Sequence, residues 1–355
     1  MHIALAYNLR EGQAAHGSGL PAGTTAHATD LYAEWDDAET IQAVADALAE
    51  QHQVSLVPAD LDALAAFRSL RPELVFNIAE GLHGSSREAQ LPAILDMLQI
   101  PYTGSDPVSL GICLDKNRTK EILAYHKVPT PRFCRMERVD QLPAFMHFPL
   151  VVKPACEGSS KGITDKSLVH TPAELQQQLD WIRQTYHQPA LVEEFLCGRE
   201  FTVALIGNTD DLQVLPIVEI DFAALPEGAN PLYSYEAKWI WDQTEAPLDI
   251  FHCPARLDPL LQHAIETVCR KAFEVLGCRD WCRMDVRLDS QGRPNIIEAN
   301  PLPGVLPQPE QNSCFPKAAR AAGLTYAQMI QAVVTAACRR LNLAEEVSHA
   351  RCCLL

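Results

Sequence analysis

Asp285, Glu298 and Asn300 bring two carboxylates and an amide oxygen into two neighbouring stretches, "DWCRMDVRLD" and "PNIIEAN". An oxygen-only set of this kind suits magnesium, especially where phosphate oxygens complete the coordination shell. Both stretches read as strands, and the turn residues 289–292 between them predict a hairpin that sets Asp285 close to Glu298. Side chains alternate along a strand, so Glu298 shares a side with Asn300, and Arg283 and Arg287 share one with Asp285. A solvated strand face is the plain alternative for these residues.

A second group lies in "VVKPACEGSSKG", where Lys153 ends a strand before a Gly- and Ser-rich turn. Backbone N–H groups in such a turn can cradle a phosphate. The order of residues is not that of a P-loop, and an ordinary surface turn fits as well. In "ALVEEFL" a strand ends at Glu193 and Glu194, where a carboxylate or a backbone carbonyl can receive a hydrogen bond from adenine or ribose. The aromatics Tyr233, Tyr235, Trp239 and Trp241 are spaced either as a core strand or as a lid that keeps water from a reactive site.

The rest of the chain must position these groups. A length of 355 residues favours two or three domains. Up to about residue 105, strands alternate with helices such as "AETIQAVADALAEQ", whose Ile41, Val44, Ala45 and Leu48 fall on one face. This is the pattern of a parallel sheet covered by helices. Residues 10–29 form an unusually long Gly-, Ala- and Thr-rich connection inside it. Beyond residue 200 strands dominate, so the expected class is α/β followed by α+β. The predicted domains are 1–105, 106–198 and 199–345, with a tail at 346–355.

A net charge of −16 argues against a nucleic-acid partner. No apolar run of 18 residues predicts a membrane span, and "MHIALAYNLREG" reads as a first strand, not a signal peptide, so a cytoplasmic location is expected. The twelve cysteines then read as free thiols, with no zinc spacing around Cys278 and Cys282, and Cys314 as a small apolar residue. The final "CCLL" fits a prenylation box poorly, because Cys353 stands where an aliphatic residue belongs and no basic cluster precedes it.

In order along the chain, "IPYTGSD", "LDKNRTKEIL", "PLVVKPACEGSSKGI", "LVEEFLCGREFTVAL", "YSYEAKWIWDQT", "CRMDVRLDSQGRPNIIEANPLPG" and "KAARAAGLTYAQM" together resemble the ATP-grasp superfamily, and within it the D-alanine–D-alanine ligase family. The resemblance covers most of residues 76–330. It implies an ATP-grasp fold with an N-terminal parallel-sheet domain, in which ATP lies between the sheets of the other two domains. It implies that Lys116, Lys153 and Lys238 contact the phosphates, that Glu193 and Leu196 lie at the adenine and that Glu200 meets the ribose. Asp285, Glu298 and Asn300 would hold two magnesium ions, with Mn2+ able to substitute. Arg283 would stabilise a tetrahedral intermediate, and Glu34 would join Ser159 and a lid aromatic in a catalytic network. The implied reaction makes an acyl phosphate that an amine attacks, with an amino acid or amino-acid-like acid as donor. A homodimer is expected from the resemblance alone.

Departures from the family pattern bear on the substrate. In "NIAEGLHGSSREAQLP", Glu80 stands at the family's usual histidine, with His83, Arg87 and Glu88 nearby. Trp239 stands at the lid tyrosine. After Gly304, "VLPQPEQN" intervenes before Ser313, which matches a substrate-binding serine and brings Gln308, Glu310 and Gln311 towards the acceptor pocket. The leading expectation is therefore a different dipeptide or amide, with D-alanine–D-alanine synthesis as the alternative. A non-catalytic nucleotide-binding protein should have lost a phosphate lysine or a metal ligand, and none is missing.

Overall fold

The computed structural model describes residues 1–10, 32–81, 83–241 and 248–343. The connection at 10–29 and the tail at 346–355 therefore lie, but for Arg10, outside the described residues, as does the end of the presumed lid. Thirteen strands and nine helices follow one another along the described chain. The strands are β1 (His2–Tyr7), β2 (Gln53–Pro58), β3 (Leu74–Asn77), β4 (Phe133–Met136), β5 (Leu150–Pro154), β6 (Leu168–Val169), β7 (Ala190–Glu194), β8 (Glu200–Ile206), β9 (Gln213–Val214), β10 (Val218–Ile220), β11 (Phe251–His252), β12 (Trp281–Leu288) and β13 (Pro294–Asn300). The helices are α1 (Ala38–Ala49), α2 (Ala63–Leu70), α3 (Gln90–Leu98), α4 (Pro107–Leu114), α5 (Lys116–Tyr125), α6 (Pro172–Tyr186), α7 (Pro259–Val275), α8 (Cys314–Ala321) and α9 (Tyr326–Leu341).

Three sheets result. The first is parallel, in the order β2-β1-β3, as the N-terminal alternation predicts. Ile3 and Leu5 of β1 face a core shared with α1 and α9, while Ala4 and Ala6 face Phe67 and Leu95 of α2 and α3. The second sheet runs β4-β7-β5-β6 and is covered by α6 through Leu175, Leu179 and Ile182. The third runs β11-β10-β8-β12-β13, with β9 paired to β8. Its Phe201, Val203, Met284 and Val286 meet Ile265, Cys269 and Phe273 of α7.

The first and third sheets share one core through aromatic stacking. Trp281 lies edge-on to Phe76 and to Phe315, each at 5.6 Å between ring centroids. Asp280, just before β12, joins the same parts by polar contacts. Fully buried, it receives Arg340 of α9 through both oxygens at 2.9 and 2.7 Å, the Gly104 amide at 2.8 Å and the Asn208 side chain at 3.0 Å. Among the described residues no single helix is long and apolar enough to cross a membrane.

Removing one side of a buried, hydrogen-bonded ion pair leaves the other charge uncompensated. Asp280→Ala is therefore expected to lower unfolding stability by about 3–5 kcal/mol, read from urea denaturation.

Candidate active site

β12 faces the α7 core with one set of side chains and a cleft of about 470 Å³ with the other. Arg283, Asp285 and Arg287 lie on the cleft side. In β13 simple alternation would send Glu298 the same way as Ile296, which is fully buried in the core. A bulge prevents this: Asp285 pairs with Glu298, whereas Val286 pairs with Ile296, so one extra residue intervenes. Glu298 and Asn300 are thereby turned to the cleft, beside Asp285.

The donor set fits a hard cation. The Asn300 amide stands 3.3 Å from Asp285 Oδ2, and Asp285 and Glu298 occupy facing positions on adjacent strands. No three His, Cys, Asp or Glu side chains among the described residues are grouped to hold a metal by themselves. Two carboxylates and an amide would therefore need oxygens from a second molecule, as phosphate supplies. Arg283 lies across Asp285 at 3.1 and 2.9 Å and is held charged by it despite burial. Lys116, at the start of α5, meets Glu298 at 3.0 Å and also donates to the Glu157 carbonyl. Burial works against ionisation of Glu298, but Lys116 and Lys153 hold its pKa below the usual value.

Lys153 of β5 and Lys120 of α5 converge on Glu193 of β7 at 2.5 and 2.7 Å. Burial disfavours that charge, yet the two lysines bring the Glu193 pKa down to about 2. The neighbouring Glu194 turns the other way, and its carboxylate accepts from the Arg132 amide and side chain at 2.9 and 2.8 Å. The buried Leu196 borders the cleft with Glu200, whose carboxylate receives Arg287 at 2.9 Å. Lys120 and the Arg287–Glu200 pair were not singled out from the sequence. Lys120 lies one helical turn beyond Lys116, and that spacing was the available signal.

The aromatic stretch is not a strand. Ala237–Trp241 forms a single wide helical turn. Trp239 donates to the Ser159 carbonyl at 3.1 Å, and Lys238 reaches the Ser159 hydroxyl at 3.3 Å. Burial and the nearby Arg283 push the Lys238 ammonium down to about 8. Glu34 does not meet the Ser159 hydroxyl. It accepts instead from the amide of the preceding Gly158 at 2.7 Å, so Glu34 and Trp239 are linked through the backbone of the turn. A Cβ at Gly158 would crowd Glu34 Oε1, so glycine there lets Glu34 approach the turn backbone.

Glu34 is further held by Arg87 at 2.7 and 2.8 Å and by Lys161 at 3.1 Å. Arg87 also donates to the Cys156 carbonyl at 2.8 Å, and Lys161 pairs with Glu157 at 2.7 Å. Lys161 and Glu157, both in the Gly- and Ser-rich turn, went unassigned in the sequence reading. Glu80 and Glu88 border the same end of the cleft. Burial and neighbouring acids push both carboxyls up, Glu88 to about 8. His83 is exposed and does not line the cleft.

After Gly304 the inserted segment is ordered by its own hydrogen bonds. Gln308 and Gln311 bond each other, the Ser313 hydroxyl donates to the Gly304 carbonyl at 3.0 Å, and Tyr326 donates to the Val305 carbonyl at 2.7 Å. The Gln308 side chain is spent on Glu39 of α1 at 2.6 Å, whereas Glu310, Gln311 and Ser313 border the cleft. Cys314 does too, and burial pushes its thiol up to about 12.

A cleft between two sheets, lined by paired lysines on one and an acid–amide hairpin on the other, defines an ATP-grasp protein. Residues 123–335 match the family model described as D-ala D-ala ligase C-terminus. The chain is 36% identical over 315 residues to a Sinorhizobium fredii protein called uncharacterized protein y4sG, covering 86% of this chain and 89% of that one. It is 32% identical over 308 residues to the D-alanine–D-alanine ligase of Pelotomaculum thermopropionicum, covering 83% and 90%. A solved structure of a Bacillus anthracis D-alanine–D-alanine ligase complexed with ATP shares the fold, with a TM-score of 0.69 over 96% of this chain and 98% of that one, at 22% identity. The chain belongs to the D-alanine–D-alanine ligase family of ATP-dependent carboxylate–amine ligases. The two of these relatives that are named for an activity are D-alanine–D-alanine ligases, the alternative and not the leading expectation from the sequence.

The Glu193 carboxyl is held at about 2 against an ordinary 4.5, so its contribution is complete above pH 4.5 and lost as pH falls towards 2. It is worth on the order of 3 kcal/mol. Urea unfolding between pH 6 and pH 3 should show a smaller loss of stability for Glu193→Gln than for the parent, from a lower starting value.

Proposed function

We propose that this protein joins D-alanine to D-alanine at the cost of ATP, releasing ADP and phosphate. The observation that supports this reading best is the layout of charge in the cleft, with Lys116, Lys153 and Arg283 gathered about Asp285, Glu298 and Asn300. A carboxylate must approach a triphosphate, and both are anions, so cations fixed beforehand lower the barrier without reorganising.

In the first step a carboxylate oxygen of one D-alanine attacks the γ-phosphorus, the bond to the β-γ bridging oxygen breaks, and ADP leaves. In the second the amine of the other D-alanine attacks the acyl carbon, phosphate leaves, and the nitrogen gives up a proton. Lys116, Lys153 and Lys238 hold the phosphates, Leu196 and the end of β7 at Glu193 and Glu194 take the adenine, and Glu200 takes the ribose. Arg283 neutralises the oxyanion of the second step. Asp285, Glu298 and Asn300 would hold magnesium, which supplies further charge neutralisation at the phosphates. Trp239, docked on the turn at Ser159, closes water out of the site, where the acyl phosphate would otherwise hydrolyse. Ser313 and Gly304 border the acceptor side.

A second reading, ligation of a different amino acid or amine, is favoured by Glu80 and Glu310 on the cleft wall. A coupled ADP-release screen over D- and L-amino acids separates the two. D-alanine alone should release ADP as efficiently as any pair. Release confined to other pairs would establish the second reading, and release with none would remove both. Glu298→Gln should lower kcat about 100-fold or more, as expected for loss of a fixed electrostatic group, and raise the magnesium concentration needed for half activity.

A further inference from the structure

Glu34, which the resemblance sets in a catalytic network with Ser159 and a lid aromatic, has no capacity left for a substrate group. Each of its oxygens already accepts from Arg87, Oε1 also from the Gly158 amide and Oε2 from Lys161, and the side chain is 6% exposed. These contacts run from the first sheet's surroundings to the turn after β5. Their evident effect is to clasp that turn.

The acids beside it are in the opposite condition. Glu88 is 8% exposed, borders the cleft, and among the described residues its carboxyl makes no hydrogen bond or ion pair. Glu80, at the cleft end of the β3 segment, likewise has none among the described residues. Gly81 holds the two together: a Cβ there would lie 2.5 Å from the Arg87 carbonyl, so the chain after Glu80 packs directly on the chain before Glu88. Arg87 attracts both carboxyls but bonds neither, because its guanidinium is directed at Glu34, the Cys156 carbonyl and, at 3.6 Å, Glu157. Glu88 is buried and Glu80 partly buried, and carboxyls so placed, without a bonded partner among the described residues, are favoured when protonated or when a cation reaches them. A primary ammonium, with three donors, can hydrogen-bond both carboxyls, its one charge balancing one of them while the other stays protonated.

We propose that Glu80, backed by Glu88, receives the α-ammonium of the donor amino acid, and that Glu34 is a positioning residue that clasps the phosphate turn. The inference rests on the amino-acid ligase reading above and gives the donor an orientation. Its ammonium lies at the Glu80 wall and its carboxylate points towards the lysines and Arg283.

The test is calorimetric titration of the full chain, in the presence of magnesium and a non-hydrolysable ATP analogue, with D-alanine and with D-lactate, which carries a hydroxyl in place of the ammonium. The parent should bind D-alanine at least tenfold tighter than D-lactate. Glu80→Gln should erase that ratio while leaving ATP-analogue affinity and the melting temperature near the parent values, and Glu80→Asp should restore part of it. Glu34→Gln should lower the melting temperature and weaken analogue binding with the ratio preserved. Equal binding of the two ligands by the parent, an unchanged ratio in Glu80→Gln, or loss of the ratio in Glu34→Gln would overturn the assignment. Should Glu80→Gln not fold, the Glu80→Asp and Glu34→Gln ratios decide by the same criteria. If the ADP-release screen selects another amino acid, that acid and its 2-hydroxy analogue replace the pair, so failure of the D-alanine reading stays distinct from failure of this one.

Discussion

Burying several like charges next to one another is the constraint to which this molecule answers. Lys120 and Lys153 share Glu193, Lys116 takes Glu298, Arg283 takes Asp285, Arg287 takes Glu200, and Arg87 with Lys161 encloses Glu34. A buried ion costs several kcal/mol in lost hydration, and pairing recovers much of that. The protein therefore holds the cations of the cleft in place, each against an acid, before any anion enters it. Arriving phosphates meet charges already fixed in place, so little reorganisation remains for the moment of reaction.

Except for Arg283 and Asp285, both in β12, each pair bridges separate elements, so the electrostatics also hold the architecture. Glu193 ties β7 to α5 and β5, Glu298 ties β13 to α5, and Glu34 ties the N-terminal unit to the turn after β5. The apolar cores lie behind these contacts: β12 has Met284 and Val286 in one core while Arg283, Asp285 and Arg287 face the cleft. One strand thus supplies packing and chemistry on its two faces, as its period of two allows.

The hairpin of β12 and β13, the parallel N-terminal sheet and the lysine at the end of β5 were legible because each rests on local pattern: alternation, helix periodicity and turn residues. The bulge before Glu298 was not, because "NIIEAN" reads equally well as regular strand; only pairing with β12 shows the extra residue. Partners distant in sequence were hidden for the same reason. Arg87 and Glu34 are 53 residues apart, and no local signal couples them. The aromatic run was ambiguous from spacing, and the structure resolves it as a helical turn docked on Ser159. Glu194 looked equivalent to Glu193, but adjacent strand residues face opposite ways, and only Glu193 points inward to the lysines.

The inserted segment after Gly304 shows how an altered loop can leave the chemistry untouched while changing what surrounds it. Its prolines stiffen the backbone, and its glutamines bond one another, which helps the segment hold its shape. The bond from Gln308 to Glu39 fastens it to α1, and the bond from Ser313 to the Gly304 carbonyl closes its base. Glu310 and Gln311 then stand on the cleft wall at a position fixed from both ends. Asp285, Glu298 and Asn300 precede the segment and are set by strand pairing, which does not depend on its length. Separate constraints therefore govern the reacting groups and the acceptor wall, and the wall can differ from that of a relative while the reacting groups stay where the sheet puts them.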